Sequence, residues 1–373
     1  MYKLAIVGAS TGQKQICETA RKMGLFTIGF AWENGAICKG LFSKFYPISV
    51  TDMEQIAQIC AHEQIDGIVS NASDLTAETV TYVADKLELV GNSYSDYVNA
   101  KNKFFVRQAT NYIDGLTPVR AERIMSGGEL FYPAVIKPVS GSGKRGICFV
   151  KSEADLDSAM HYALNASSEL MIESFITADY EVSVETISCA GRHWVVQITD
   201  KDVTGAPHFV EIGHHQPSAL CDDLKAKIAS VVPKILDAIN FINGAAHIEI
   251  KIDVNTQNLY LVEVNMRGGG DEISNTLVNL STDFDYVRAM IEVALGIFNP
   301  PIHINNTNNA GIYYLCHQTQ DIFEKINASN INIISKEINS GELTHSTTNY
   351  DRNGYIIYCD KMKPNMKEGD DNE

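Results

Sequence analysis

The chain is 373 residues long, 45% hydrophobic and carries a formal charge of −16 at pH 7. That length exceeds what one compact core usually holds, so two or three domains are expected, and 26 Gly against 10 Pro without a low-complexity tract predict that most of it folds. Such acidity argues against nucleic-acid binding, which needs a basic stripe.

Eight cysteines, Cys17, Cys38, Cys60, Cys148, Cys189, Cys221, Cys316 and Cys359, form no C-x-x-C pair and no zinc spacing. Most lie among apolar residues, as buried free thiols do. The sequence MYKLAIVGAS enters a strand at once, with no signal peptide and no apolar run of about 18 residues. These features predict a protein of the reducing cytoplasm, without membrane partners. The residues 367–373, KEGDDNE, read as a solvated tail.

Residues 1–95 alternate strands and helices. Lys3–Val7 is an apolar run ending at Gly8, and Gln13–Met23 has helical spacing. Thr27–Ala31 is a second strand, and Asp52 caps a helix running to about His62. Gly67–Ser70 is a third strand, followed by a helix near Leu75–Leu87. Short buried strands alternating with helices predict a parallel sheet. The turn Gly8-Ala9-Ser10-Thr11-Gly12 is not G-x-G-x-x-G, so it reads as a tight turn at a sheet edge, not a dinucleotide site.

Residues 96–190 open on one helix, from about Tyr94 to Asn111, carrying Lys101, Lys103 and Arg107. Turns follow at Asp114-Gly115 and Thr117-Pro118. Strands then dominate: Ala134–Lys137, Ile147–Val150, Leu170–Ile172, Glu181–Ser188 and His193–Ile198. Residues 191–300 add a helix at Asp222–Phe241, strands Ala246–Asp253 and Leu259–Asn265, and a helix at Asp283–Leu295 ending at Gly296. Residues 301–373 read mostly as β structure, including Gly311–Cys316 and Tyr355–Tyr358. Cys316-His317 belongs to that sheet reading, not to a catalytic dyad.

The strongest chemical signal runs from Gly244 to Glu272. A turn at about 254–258 makes the two strands a hairpin. Side chains alternate along a strand, so Glu263 and Asn265 share a face, with Val262 and Val264 on the other. Glu249 then falls roughly opposite Glu263. Two carboxylates and an amide oxygen on one spot repel without a cation, and such a donor set suits Mg²⁺ beside nucleotide phosphates. Arg267 and Gly268–Gly270 follow, bringing a guanidinium and backbone N–H groups to an anion.

A second signal is the strand ending in Lys137, kept extended by Pro138, and the loop Ser140, Gly141, Ser142, Gly143, Lys144, Arg145 and Gly146. Such a loop between strands folds over phosphates with its N–H groups, although its spacing is not that of a Walker A loop. A third, weaker signal is LMIESFI, where Glu173, Ser174, Phe175 and Ile176 line a flat pocket edge and Glu181 stands ready for ribose hydroxyls.

In this order the features resemble the ATP-grasp superfamily of carboxylate–amine ligases, over about residues 1–296. The E-x-N-x-R-x-G-G-type ending at Glu263–Gly269, preceded by Glu249 about 14 positions earlier, is the specific part. The resemblance implies an α/β and α+β fold: an N-terminal Rossmann-like parallel sheet (a pre-grasp domain), a small β-rich lid domain and a larger α+β domain. It implies ATP with two Mg²⁺ ions, Mn²⁺ being a substitute. Lys103, which matches better than Lys101, and Lys137 are the phosphate lysines. Glu173 takes the adenine-hinge position and Glu181 the ribose position. Glu249, Glu263 and Asn265 are the metal ligands, and Arg267 holds the carboxylate or acyl phosphate. Here Asp179-Tyr180 precede Glu181 where the family often has Gly, and the hinge loop is one residue longer than the family pattern.

The segment His208–Leu220 resembles the substrate-side strand of amino-acid and dipeptide ligases through Glu211, His214 and Pro217. His214 then orients an amine or binds the product phosphate; without the resemblance it is a partly buried histidine in a helix-entering turn. The implied activity is amide formation between a small carboxylate and an amine through an acyl phosphate, in a protein that is commonly a homodimer. The alternatives are a superfamily carboxylase acting on bicarbonate, for which no carrier domain is attached, and a nucleotide-binding module without turnover. An NAD-dependent oxidoreductase is disfavoured by the missing fingerprint.

Overall fold

A computed structural model describes residues 1–124, 129–141, 143, 145–178, 180–205, 209–339 and 343–362. β1 (Lys3–Val7), α1 (Lys14–Lys22), β2 (Phe26–Phe30), β3 (Lys44–Tyr46), α2 (Met53–Glu63), β4 (Gly67–Val69) and α3 (Asp74–Lys86) build a parallel sheet in the order β3-β2-β1-β4. The expected three strands are present, and β3 is added. Asp52 caps α2 as the sequence predicts, its carboxylate accepting from the Gln55 N–H at 3.2 Å. The glycine turn sits at the carboxyl end of the inner strand β1. Gly8 has φ +99, and the Gln13 side chain fills the place a Cβ would take.

The single helix expected over 94–111 is two helices, α4 (Tyr94–Lys101) and α5 (Lys103–Thr110). Asn102 breaks it: its backbone is extended, and its side chain accepts from the Phe105 N–H at 3.0 Å, capping α5. β5 (Ala121–Arg123), β6 (Ala134–Pro138), β7 (Cys148–Val150), α6 (Leu156–Leu164) and β8 (Leu170–Ser174) form the small layer, with sheet order β5-β8-β6-β7. Ala159 and Ala163 of α6 pack on Ala134, Ile136, Val150 and Ile172, closing a core of its own.

β9 (Tyr180–Cys189), β10 (Arg192–Val203), β11 (Glu211–Gln216), α7 (Asp222–Ala238), β12 (Gly244–Asp253) and β13 (Asn258–Asn265) form the large layer. After a π-turn at Ile273–Leu277 come α8 (Val278–Ser281), α9 (Tyr286–Ala294), β14 (Asn309–Tyr314), α10 (Gln320–Ala328), β15 (Ile333–Ile338) and β16 (Gly354–Asp360). One antiparallel sheet carries β13-β12-β9-β10-β11-β14-β16-β15. α7 buries Leu224, Ile228, Val232 and Ile235 against Val182, Val184, Ile248 and Ile250 on one face. On the other, α9 wedges Tyr286, Val287 and Ile291 between that sheet and Leu4, Ile6 and Ile16 of the N-terminal layer. The N-terminal layer and the large sheet therefore share one packed helix, α9.

Cys316-His317 is not sheet: it lies just past β14, where Cys316 precedes a 3₁₀ turn at His317–Thr319. All eight cysteines are free thiols; Cys17, Cys38, Cys60 and Cys316 are buried and Cys221 is exposed. No helix among the described residues is long and apolar enough to cross a membrane.

Candidate active site

The β12–β13 register sets Glu249 directly opposite Glu263 and His247 opposite Asn265, with a bulge after Glu249. Lys103, the first residue of α5, reaches across to this hairpin. Its Nζ lies 2.7 Å from Glu263 Oε1 and donates to the Gly141 carbonyl at 2.8 Å. Its backbone N–H donates to the Val139 carbonyl at 2.7 Å. One ammonium thus joins the helix, the glycine-rich loop and the acidic hairpin. Lys101 instead pairs with Glu78 on α3. Arg267 gives its Nε to Asp74 Oδ1 at 2.7 Å and its Nη1 to the Gly268 carbonyl at 3.0 Å.

Lys137, Glu173 and Arg107 form a buried trio. Glu173 takes Lys137 Nζ on one oxygen and Arg107 Nη2, at 3.0 Å, on the other. Burial raises the Glu173 pKa, but two cations, Lys137 foremost, outweigh it and hold the carboxyl below its usual value. Burial pulls Lys137 below the usual lysine range, only partly offset by Glu173. The Glu173 side chain is therefore committed to cations. Past it, Ser174, Phe175 and Ile176 line a pocket with Pro118, Val119, Arg120, Thr177 and Tyr260. Phe149 of β7 meets Phe175 at 4.6 Å between ring centroids. Ser140, Gly141, Gly143 and Gly146 lie in the β6–β7 loop. At Gly146, φ is +74 and a Cβ would stand 2.7 Å from Ala166 Cβ. Ser142, Lys144, Asp179 and His208 lie outside the described residues.

Lys201 on β10 is the residue that sequence reasoning missed most completely. Its buried Nζ meets Glu181 at 2.8 Å, Glu249 at 3.1 Å and Glu211 at 3.3 Å. Burial opposes its charge, but the three carboxylates, Glu249 foremost, hold it well above the usual lysine range. Glu181 and Glu249 thus meet through a cation. Glu185, fully buried, accepts from the Gly269 N–H at 2.9 Å and binds His247 Nδ1. Burial pushes His247 down, yet Glu185 and Glu249 raise it to about 9. Asp74, Glu185, His247 and Lys201 hold the proposed ligands; of these, strand alternation places His247 on the face of Glu249, two residues before it.

His214 lies on β11, not in a helix-entering turn, and is 2% exposed. Neither ring nitrogen makes a hydrogen bond among the described residues. Its cross-strand partner is Lys201.

Residues 130–276 match the ATP-grasp domain family. The chain is 22% identical to formate-dependent phosphoribosylglycinamide formyltransferase of Methanococcus vannielii over 312 residues, 79% of this chain and 78% of the relative. It is 25% identical to alanine–anticapsin ligase of Bacillus subtilis over 235 residues, 55% of this chain and 49% of that protein. The crystal structure of L-amino acid ligase from Bacillus licheniformis superposes with a TM-score of 0.79 at 21% identity, covering 97% of this chain and 94% of that one. The mixed α/β architecture is shared with that structure.

Proposed function

We propose that this ATP-grasp chain activates a small carboxylate with ATP as an acyl phosphate and passes the acyl group to an amine, releasing ADP and phosphate. The observation that carries the reading is the meeting of the Glu249–Glu263 register pair with Lys103, which bridges Glu263 and the glycine-rich loop.

Glu249, Glu263 and Asn265 offer oxygen donors only, and both carboxylates already draw an ammonium to them. That donor set fits Mg²⁺, two ions in this proposal with Mn²⁺ as a substitute. When bound, the metal shields the phosphate oxygens and lowers their repulsion toward an incoming anion. Lys103 and Lys137 neutralise the phosphates of ATP. Ser174, Phe175 and Ile176 seat the base, and Glu181 takes a ribose hydroxyl. Arg267, fixed by Asp74, holds the donor carboxylate through Nη2, and Ser140, Gly141, Ser142, Gly143 and Gly146 close to exclude water. His214 orients the amine. Eight free cysteines support a cytoplasmic setting. The partners we propose are small molecules alone, without nucleic acid or membrane, and the assembly is a homodimer.

The test is ADP release with ATP and Mg²⁺ across amino acids and small acids, with hydroxylamine as a general acceptor. Acyl phosphate formation then appears as a hydroxamate. Glu263→Gln is expected to lower turnover by roughly 100-fold or more while the protein stays folded. Parent-level ADP release from a folded Glu263→Gln protein would refute the metal assignment. A donor as small as formate is a second reading, favoured by the formate-dependent relative that spans 79% of this chain; formate therefore belongs in the screen.

A further inference from the structure

Directly after Gly268–Gly270 the chain passes through two successive left-handed residues, Asp271 at φ 50 and Glu272 at φ 64. Non-glycine residues are held there only when their surroundings demand it. Asp271 is met by a residue far along the chain. Arg352 binds it as a fork, Nη1 to Oδ2 and Nη2 to Oδ1, both at 2.9 Å. Arg352 is also anchored independently of Asp271. It lies over the Tyr314 ring at 3.6 Å and donates to the Glu211 carbonyl at 3.2 Å. Asn349 gives Nδ2 to Glu211 Oε2 at 2.6 Å. The buried His214 imidazole completes the group: its Nε2 stands 3.5 Å from Asp271 Oδ2, and it has no hydrogen bond of its own among the described residues.

Glu211, His214 and Asp271 each place one ligand atom within 4.8 Å of the others, the spacing of a metal cluster. Arg352 already occupies both oxygens of Asp271, and Lys201 stands 3.3 Å from Glu211, so a guanidinium and an ammonium already answer the two acids. A planar fork, two acids and an unsatisfied imidazole are the complement of a zwitterion. Lys201 ties the group to the candidate metal site, since it touches both Glu211 and Glu249.

We infer that this cluster is the acceptor subsite and that Arg352 selects an acceptor bearing a free carboxylate beside its amine, the chemistry of an α-amino acid. The inference rests on the ligase reading above. The acceptor carboxylate takes the fork from Asp271, and Asp271 and Glu211 receive the ammonium. His214 accepts one proton from that ammonium at Nε2. The freed nitrogen lone pair forms the C–N bond, the C–O bond pair leaves with phosphate, and the departing phosphate takes the second nitrogen proton as the amide forms. A plain amine leaves the Arg352–Asp271 pair closed and gains nothing from it.

The experiment compares amino acids with their carboxamides as acceptors, using a donor found with hydroxylamine. The parent enzyme is expected to prefer the amino acid by roughly 10- to 100-fold in kcat/KM, the effect of charge-assisted hydrogen bonds. Arg352→Met is expected to bring that ratio near one, and Arg352→Lys, which keeps the charge and the fold, to restore part of it. No preference in the parent enzyme, or an equal preference in Arg352→Lys and Arg352→Met, overturns the assignment while hydroxamate formation leaves the ligase reading standing. Absence of hydroxamate from the parent enzyme with every donor sinks the ligase reading and the inference with it.

Discussion

Two residues of the buried trio separate packing from ligand binding. Lys137 and Glu173 are 5% and 6% exposed, so their attraction is little screened by water. Removing either partner leaves a buried charge less well compensated, at a cost of about 3 kcal/mol. Lys137→Met and Glu173→Gln should therefore both lower the melting temperature by several degrees. Only Lys137→Met should also weaken ATP binding, by roughly tenfold or more, because it removes a phosphate partner. Equal losses of ATP affinity by calorimetry would make the trio structural. The Glu249–Glu263 pairing was legible in the sequence from strand alternation, and the strand that carries Lys137 from its apolar run before the glycine-rich loop, whereas Lys103 was reached through the family resemblance alone. Lys201 was not legible. It sits between Asp200 and Asp202, and three charges in a row read as exposed loop until β9 and β11 flank them with Glu181 and Glu211.

At the scale of elements, the short segment 347–352 has its own test because it delivers Asn349 to Glu211 and Arg352 to Asp271. Asp351 ties it. Its Oδ2 accepts from the Thr347 N–H and hydroxyl at 2.9 Å each and from the Thr348 N–H at 2.8 Å. These bonds, the Thr347 backbone N–H foremost, lower the Asp351 pKa to about 2. A folded value below the unfolded one stabilises above the ordinary Asp range, near 3.9, and is lost as pH falls through about 2. Amide protection at 347–352 should therefore fall between about pH 4 and pH 2, ahead of β9 and β12. Asp351→Ala should show the low-protection state at pH 7. Protection factors that match the parent at pH 7 would refute the tie. The elements that sequence reading missed are marginal by pattern. β3 and β5 have three residues each, too few to show a period, and α6 and α10 are nine-residue helices inside stretches read as β. The split at Asn102 is a capping event that apolar spacing does not report.

The eight-stranded sheet makes residues after 300 part of the layer that carries the candidate site. Composition announced their β character, but pairing partners are set by long-range register, which no local pattern contains. β14 joins β11 with His214 opposite Ile312 and His215 opposite Gly311. Around Gly311 the approach is close: a Cβ there would stand 2.5 Å from His215 Nδ1 and 2.6 Å from the Tyr358 hydroxyl oxygen. His215 in turn bonds Tyr358 at 3.0 Å and Asp202 at 2.9 Å. A chain cut after Pro300 would bare the β11 edge with three buried polar residues, His214, His215 and Gln216, and lose Arg352. It should fail to unfold cooperatively and should aggregate. Gly311→Ala tests the same junction more gently, since forcing the His215 and Tyr358 rings apart costs about 1–3 kcal/mol. Calorimetry of the full chain should then show the transition of the large layer moving down as one unit. A truncated protein that melts sharply, at the parent temperature, would mean that the large layer is complete without β14 and its neighbours.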